Sequence, residues 1–331
     1  MNEAVTELAL ASFAAAADVH LVGEPRSARF AAYKARFDAA AELRRLHALG
    51  FRFLGRSDPS FPLLLRSIHD PPPGLFLRGD RDASVLAAAA VAIVGARACS
   101  AYGRQIARAL GRDLAAAGLT VVSGLARGVD AEAHRGALEG GGTTIAVLGC
   151  GIDRDYPAAH RELSRQVAAT GLVVGEYAPG VEPAPWRFPA RNRIIAGLCA
   201  ATVVVEARER SGALITADLA LEEGREVFAV PGEITSALSA GSNALLRLGA
   251  TPLTCAQDVL ESYGLEPAPT VRPEVSRVAG AVLELIRAEA RGADELSRAS
   301  GLAAGELAVV LSELELAAAA VEEDGVYRAA S

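Results

Sequence analysis

A segment early in the chain combines a buried strand, a glycine turn and an arginine. The run VAIVG (Val91–Gly95) is apolar and rich in branched residues, which predicts a strand buried on both faces. Arg97 follows the glycine, and helical spacing begins at Tyr102. In such a unit the first backbone N–H groups of the helix lie free at the carboxyl edge of the sheet and favour an anion. The segment indicates either a phosphate site beside Arg97 or an ordinary turn in which Gly95 supplies backbone freedom.

A second segment, WRFPARNR, places arginines next to aromatic rings. Its charged and aromatic members are Trp186, Arg187, Phe188, Arg191 and Arg193. A single nucleic-acid strand needs both types, because arginines pair with its phosphates while its bases stack on rings. The alternative is a solvated basic helix start whose aromatic side chains lie in the core.

Further glycine, serine and arginine residues follow other predicted strands. In SGLARG, Ser123, Gly124 and Gly128 allow close backbone approach and Arg127 adds charge. Ser211 begins SGALIT and supplies a hydroxyl group. Because these loops all follow parallel strands, we expect them at one edge of the sheet, as an extended phosphate-lined surface rather than a closed pocket.

No residue pattern favours catalysis, a metal or a cofactor. Asp130 and His134 lie one helical turn apart and could form an acid–base pair, or be a helix cap and a structural histidine. Asp153, Asp155 and Glu176 are scattered among turn residues without a metal-ligand pattern. The chain has no Ser/His/Asp triad pattern and no P-loop lysine, and GARACS departs from G-x-G-x-x-G. We therefore expect a protein that is not an enzyme and carries no cofactor.

The elements that position these loops alternate between strand and helix. This alternation predicts an α/β fold, an extended Rossmann-like, doubly wound and mainly parallel sheet. The predicted strands are Val91–Gly95, Leu119–Ser123, Thr144–Gly149, Gly171–Glu176, Ala201–Glu206 and Glu226–Val230. The predicted helices are Tyr102–Ala117, Asp130–Leu138, Ala158–Thr170, Asn192–Cys199 and Ala213–Glu223.

Flanking segments complete a four-part organisation. Residues 1–70 are predicted to form a small helical, SAM-like module, 72–265 the Rossmann-like core, 266–274 a proline-rich linker and 275–331 a winged-helix-like module. The winged-helix-like module is predicted from three helices and a hairpin, which are Leu283–Ala290, Ala293–Ser300, Gly305–Ala317 and Val321–Arg328. Its third helix carries glutamates and no arginine or lysine, which favours a protein contact or packing over DNA binding.

The net charge and the spacing of the cysteines limit the possible functions. The formal net charge of −7 argues against a protein that coats duplex DNA indiscriminately. Residues 97–193 nevertheless carry 12 arginines or lysines against 9 acidic residues, whereas 274–331 carry 5 against 11. The four cysteines are widely spaced, which is typical of a reducing cytosol rather than of zinc or disulfide sites. The chain shows no signal peptide or membrane-spanning run, so we expect a cytoplasmic protein.

The motifs as a set resemble the DNA-processing protein A family, also called DprA or Smf. VAIVGARACSAYG, SGLARGVDAEAH, TIAVLGCGIDRDYP, FPARNRIIAGL, VVVEA, SGALITA and AVPGE carry the resemblance, over about residues 72–250. The family implies binding of single-stranded DNA, dimerisation, loading of the RecA recombinase and a role in natural transformation. Single-strand-binding protein is a further expected partner.

The resemblance also assigns roles to particular residues. Arg97 and the Arg191/Arg193 segment match positions that hold DNA phosphates, and Ser123, Gly124 and Arg127 match the neighbouring loop. The full predicted DNA-binding set is Gly95, Arg97, Ser123, Gly124, Arg127, Gly128, Phe188, Arg191, Asn192, Arg193 and Ser211. Ala190 stands where the family's FP-(K/R)-RN motif has a basic residue, which removes one charge, and Ala213 replaces a small polar residue.

Two other functions are compatible with a basic surface at the edge of the sheet. One is a nucleotide hydrolase resembling the lysine-decarboxylase-like phosphoribohydrolases, although this chain has PGE at Pro231–Glu233 where those carry a PGGxGT-type motif. The other is an adaptor whose basic edge binds an acidic protein surface.

Overall fold

The computed structural model describes residues 3–17, 27–266, 275–317, 319–323 and 325–329. Contacts divide the chain into two compact units, Met1–Ala268 and Pro269–Ser331, which we describe separately. The predicted linker at 266–274 lies almost wholly outside the described residues. The four domain boundaries drawn from the sequence stay predictions.

A nine-stranded sheet forms the centre of the first unit, counted over the described residues. Its strand order is 1-2-6-5-4-3-7-8-9. The pairs formed by the second strand with the first and with the sixth are antiparallel, and the rest are parallel. The strands are β1 (Phe51–Gly55), β2 (Gly74–Arg78), β3 (Ala90–Val94), β4 (Thr120–Ser123), β5 (Thr144–Val147), β6 (Leu172–Gly175), β7 (Ala201–Val204), β8 (Glu226–Ala229) and β9 (Thr251–Pro252).

Helices cover both faces of this sheet, as the buried β3 shows. Its alternate residues contribute to two different hydrophobic clusters, one shared with α8 and α9 and the other with α5 and α6. The helices of this unit are α1 (Glu3–Ala17), α2 (Ala28–Lys34), α3 (Ala39–Ala48), α4 (Leu63–Arg66), α5 (Ala101–Ala116), α6 (Val129–Glu139), α7 (Arg161–Thr170), α8 (Arg187–Leu198), α9 (Gly212–Glu222), α10 (Ala240–Arg247) and α11 (Ala256–Ser262).

The fold class predicted from the sequence is confirmed, and all six predicted core strands are present. Two differences matter. Strand β1 lies within the segment that was predicted to be helical. Its FRFL run forms a strand because it is paired along its length with β2, which supplies its backbone hydrogen bonds. Helix α8 begins at Arg187, five residues before its predicted start at Asn192; Pro189 lies in its first turn, where a missing N–H group costs no hydrogen bond.

The second unit is a small winged-helix fold. Its helices are α12 (Arg277–Ala288), α13 (Ala293–Ser300) and α14 (Ala304–Leu316), and its strands are β10 (Arg291–Gly292), β11 (Ala320–Glu323) and β12 (Val326–Ala329). β11 and β12 form the predicted antiparallel hairpin, and β10 pairs with β12 on its other side. Within the described ranges of either unit, no helix is long and apolar enough to cross a membrane.

Candidate nucleic-acid interface

The candidate site lies at the carboxyl edge of the sheet, where the strand order changes direction. From β3 the chain proceeds through β4, β5 and β6 on one side, and β7 then returns to pair with the other side of β3. The loops after β3 and β7 therefore diverge and leave a crevice between them. In open α/β sheets such a crevice is the usual place for a ligand.

Two adjoining concavities lie along this edge. The first, about 350 Å³, is lined by residues of the loops after β3 and β7 and by the start of α8 and α9. The second, about 590 Å³, is lined by the loops after β3, β4 and β5. Arg97, Phe188 and Arg191 contribute to both. We call the two concavities together the arginine groove.

Four arginines of the arginine groove are exposed: Arg97 and Arg127, which were predicted, and Arg208 and Arg210, which were not. Across the described part of the chain none of the four takes part in an ion pair. Exposed guanidinium groups on one edge that form no ion pair can pair with phosphate oxygens without first breaking an internal ion pair.

Arg191 has a different environment from the one predicted. Its side chain is only 4% exposed, and its guanidinium group donates hydrogen bonds to the carbonyl oxygens of Gly124 and Val147. It also faces the buried carboxylate of Asp130, and burial lowers the pKa of Arg191 to about 10. Arg191 therefore joins the ends of β4 and β5 beneath the groove, and its hydrogen bonds are used inside the protein.

Arg193 is not available to a phosphate. It forms an ion pair with the buried Glu176, at 2.6 Å, and a second with Asp70, at 3.0 Å. Burial alone would lower its pKa, but the charge of Glu176 raises it above the usual value. Two carboxylates already satisfy its charge, which argues against the prediction that Arg193 contacts DNA.

The predicted polar residues are also largely engaged within the protein. The Ser123 hydroxyl group is fully buried and donates to the Ile93 carbonyl oxygen at 2.7 Å, so a direct ligand contact by this side chain is ruled out. Asn192 donates to the Gly212 carbonyl oxygen at 3.1 Å, and Ser211 caps α9 by accepting from the Ala213 N–H group. Both Asn192 and Ser211 still line the first concavity.

The predicted glycines serve the packing of loops. A Cβ atom at Gly95 would lie 2.6 Å from the side chain of Val129, and one at Gly124 would lie 2.6 Å from Arg191. Gly128 has φ of +76°, a conformation that side chains other than glycine rarely adopt. These three positions hold the loops of β3 and β4 close to α6 and α8, and Gly124 also lines the second concavity.

The start of α5, for which the sequence left open a phosphate site or an ordinary turn, is capped by an internal carboxylate. The carboxylate of Glu206, at the end of β7 and only 4% exposed, accepts hydrogen bonds from the Ser100 backbone N–H and hydroxyl groups. The Ser100 hydroxyl group in turn accepts from the Gly103 N–H group. An internal carboxylate therefore lies at the start of α5, the kind of helix end that binds a nucleotide phosphate in dinucleotide-binding folds, and it disfavours a second anion there.

An aromatic pair lies between the two concavities. Tyr156 stacks on Phe188 with ring centroids 5.2 Å apart, and the Arg97 guanidinium group lies 5.4 Å from the Phe188 ring centroid. We call these three residues the ridge. Tyr156 was not predicted as a site residue, although it lies in the GIDRDYP segment of the loop after β5. Arg208 and Arg210 could also have been identified by their position after a predicted strand, since ARERSG follows VVVEA.

Asp130 and His134 have structural roles. Asp130 accepts hydrogen bonds from the Gly124 and Ala126 N–H groups, and its burial raises its pKa. His134 is fully buried against the Thr144 hydroxyl group at 2.7 Å, and burial lowers its pKa to about 3. The structural alternative is therefore favoured over an acid–base pair. No group of metal-ligating side chains is found among the residues described.

The fold and the site define an α/β protein whose exposed cations lie along the ligand-binding edge of a Rossmann-like sheet, with a winged-helix unit attached. The model of the DNA recombination-mediator protein A family matches residues 52–264, and that of the DprA winged helix domain matches residues 266–325. The chain belongs to the family of DNA recombination-mediator protein A, as its sequence motifs indicated.

Similar proteins agree with this assignment. The DNA processing protein DprA of Streptococcus pneumoniae is 47% identical over 206 residues, which cover 62% of this chain and 72% of that protein. A putative DprA of Mycobacterium tuberculosis is 40% identical over 88% of this chain and 80% of its own length.

Two solved structures are also similar. DNA processing protein A from S. pneumoniae aligns with a TM-score of 0.67 at 39% identity, covering 78% of this chain and 93% of that one. DNA processing protein A from Helicobacter pylori, described for its single-stranded DNA binding mode, aligns with a TM-score of 0.58 at 30% identity, covering 64% and 95%.

Proposed function

We propose that this chain binds single-stranded DNA along the arginine groove and acts as a recombination mediator. The observation that carries the proposal is the set of four exposed, unpaired arginines in the described residues, Arg97, Arg127, Arg208 and Arg210, on two adjoining concavities with aromatic rings between them. Phosphates spaced along a strand need several separate cations, and unpaired bases need rings. The binding mode described for the H. pylori relative supports the same ligand.

The family resemblance extends the proposal to partners. We propose that the chain is a homodimer that loads RecA recombinase onto incoming single-stranded DNA during natural transformation, in the cytoplasm, with single-strand-binding protein as a further partner. No catalytic step and no cofactor are part of this function. The acidic α14 surface, with Glu306 and Glu315 exposed, suits a protein contact better than a DNA groove.

A nucleotide hydrolase is the weaker alternative. A hydrolase of this fold needs a binding site for a nucleotide phosphate, and a helix start commonly supplies one. At the start of α5, the Glu206 carboxylate instead accepts hydrogen bonds from Ser100. Incubation with nucleoside monophosphates tests it, since release of free base would favour the enzyme. An adaptor for an acidic protein surface would bind no DNA in the experiment that follows.

The decisive experiment is a titration with fluorescently labelled single-stranded and duplex DNA of equal length over a range of salt concentrations. Each phosphate neutralised on a single strand contributes about −0.7 to the slope of log affinity against log salt, so four arginines predict about −3. The double variant Arg208→Ala/Arg210→Ala is expected to reduce this slope by about 1.4 units. Arg44→Ala, which removes an exposed arginine of α3 that lines neither concavity, is the matched control.

Particular results would count against the proposal. Equal affinity for single-stranded and duplex DNA would contradict strand selectivity, and affinity independent of salt would contradict phosphate pairing. If the double variant and the Arg44→Ala control lost the same affinity, the arginine groove would not be the binding surface.

A further inference from the structure

The ring of Phe188 is already in contact with two neighbours. Tyr156 stacks on it at an interplanar angle of 27°, and the guanidinium group of Arg97 lies over it. A base that stacked on Phe188 would have to compete with these contacts, each of which is itself favourable. Phe188 is therefore placed to support an aromatic surface rather than to present one.

Tyr156 presents the aromatic surface of the ridge. Tyr156 is 41% exposed and lines the same concavity as Arg127. No hydrogen bond joins its hydroxyl group to another residue in the described part of the chain. The ring is therefore held by its stack on Phe188 and remains open to a ligand.

The backbone beside Tyr156 is anchored to the rest of the core. The carboxylate of the preceding Asp155 accepts a hydrogen bond from Arg78 of β2 at 3.1 Å and pairs with Arg161 at 3.4 Å. Arg78 also donates to the Ser164 hydroxyl group on α7. Because this network fixes the loop before any ligand arrives, ordering it on binding costs little conformational entropy.

We propose that a nucleobase of the bound strand stacks on Tyr156, with Phe188 as its support and with Arg97 and Arg127 neutralising the adjacent phosphates. This proposal rests on the proposed function and adds to it a stacking site outside the predicted binding set. Stacking on a ring tolerates every base, since each has a π face, so the contact strengthens binding without reading sequence.

The test compares Tyr156→Leu and Tyr156→Phe with the control Tyr102→Leu. Tyr102 is 42% exposed, lies on α5 and lines neither concavity. Each protein is titrated with an oligothymidylate and with an abasic strand of the same length and charge. Tyr156→Leu is expected to weaken oligothymidylate binding about 5- to 150-fold and to leave abasic binding unchanged, because stacking contributes about 1–3 kcal/mol per base. Tyr156→Phe and Tyr102→Leu are expected to bind both strands as the unsubstituted protein does.

Two outcomes would overturn the stacking site while leaving the proposed function intact. Tyr156→Leu would bind oligothymidylate as tightly as the unsubstituted protein, or it would lose equal affinity for both strands, which would assign Tyr156 to loop structure. Failure of the proposed function is distinct, because the unsubstituted protein would then bind neither strand. Thermal melting of every variant confirms that the fold is retained.

Discussion

Replacing Arg191 with methionine separates a structural arginine from a ligand-binding one. The substitution keeps an extended apolar chain but removes the hydrogen bonds to the Gly124 and Val147 carbonyl oxygens. It also leaves the carboxylate of Asp130, only 6% exposed, without its cationic neighbour. A buried carboxylate that loses its counter-charge is costly, because water cannot reach it to replace the lost interaction.

The expected loss of stability follows from this geometry. Two buried carbonyl oxygens lose their donor, and each buried acceptor left without a partner costs about 1–3 kcal/mol, so the expected loss is about 2–6 kcal/mol. A domain of this size shifts its melting temperature by roughly 2–4 °C per kcal/mol, so Arg191→Met should melt about 4–24 °C lower. The double variant Arg191→Met/Asp130→Asn should recover part of that loss, because neither charge is then left buried alone.

Differential scanning calorimetry checks the stability, with Arg97→Met as the control. Arg97 is exposed and lies over Phe188, so its loss should change stability by less than about 0.5 kcal/mol while weakening DNA binding. The reasoning is refuted if Arg191→Met melts within about 2 °C of the unsubstituted protein and loses DNA affinity as Arg97→Met does. That pattern would make Arg191 a phosphate contact after all.

Two further predictions concern buried groups of the core. The pKa of His134 is lowered to about 3 in the folded protein from 6.5, so the unfolded chain takes up its proton first as pH falls. Stability measured by urea unfolding should drop by about 1.4 kcal/mol per pH unit below about 6.5 from this group; His134→Gln should remove that slope and His47→Gln, at an exposed position, should keep it. Gly103→Ala should lower the melting temperature despite the higher helix propensity of alanine, because its Cβ atom would lie 2.3 Å from Glu206. Gly305→Ala, with no atom within 4 Å, should be neutral or slightly stabilising, and equal shifts for the two would contradict this account.

The strands of the core could be predicted because the composition that buried strands require is visible within each short run of residues. Runs such as VAIV and TVVV are apolar and branched, and burial on both faces requires that composition throughout. Strand β1 was missed because its existence depends on pairing with β2, more than twenty residues away. Composition within a short window contains no information about that partner.

The roles of the arginines could not be predicted in the same way, because residue type does not determine burial. With α8 predicted to start at Asn192, Arg187 and Arg191 lay outside the predicted helix and were predicted to be either phosphate contacts or part of a solvated basic helix start. The helix begins at Arg187, and helical spacing then places Arg187 and Arg191 on the same face as the buried Ile194, Ile195 and Leu198. Because the predicted start of α8 was five residues late, the burial of Arg191 was not foreseen, and Arg191 was predicted as a phosphate contact.

The position of Glu206 explains why the cations that remain exposed suit a polymer rather than a nucleotide. In a nucleotide-binding fold the positive end of one helix gathers a single phosphate group. Here an internal carboxylate already accepts hydrogen bonds from Ser100, the N-cap of α5, and the exposed cations of the arginine groove are side chains on three loops, at Arg97, Arg127, Arg208 and Arg210. If the chain binds DNA as proposed, charges distributed over two concavities would neutralise phosphates that are themselves spaced along a chain, whereas a free mononucleotide would engage only some of the charges at once.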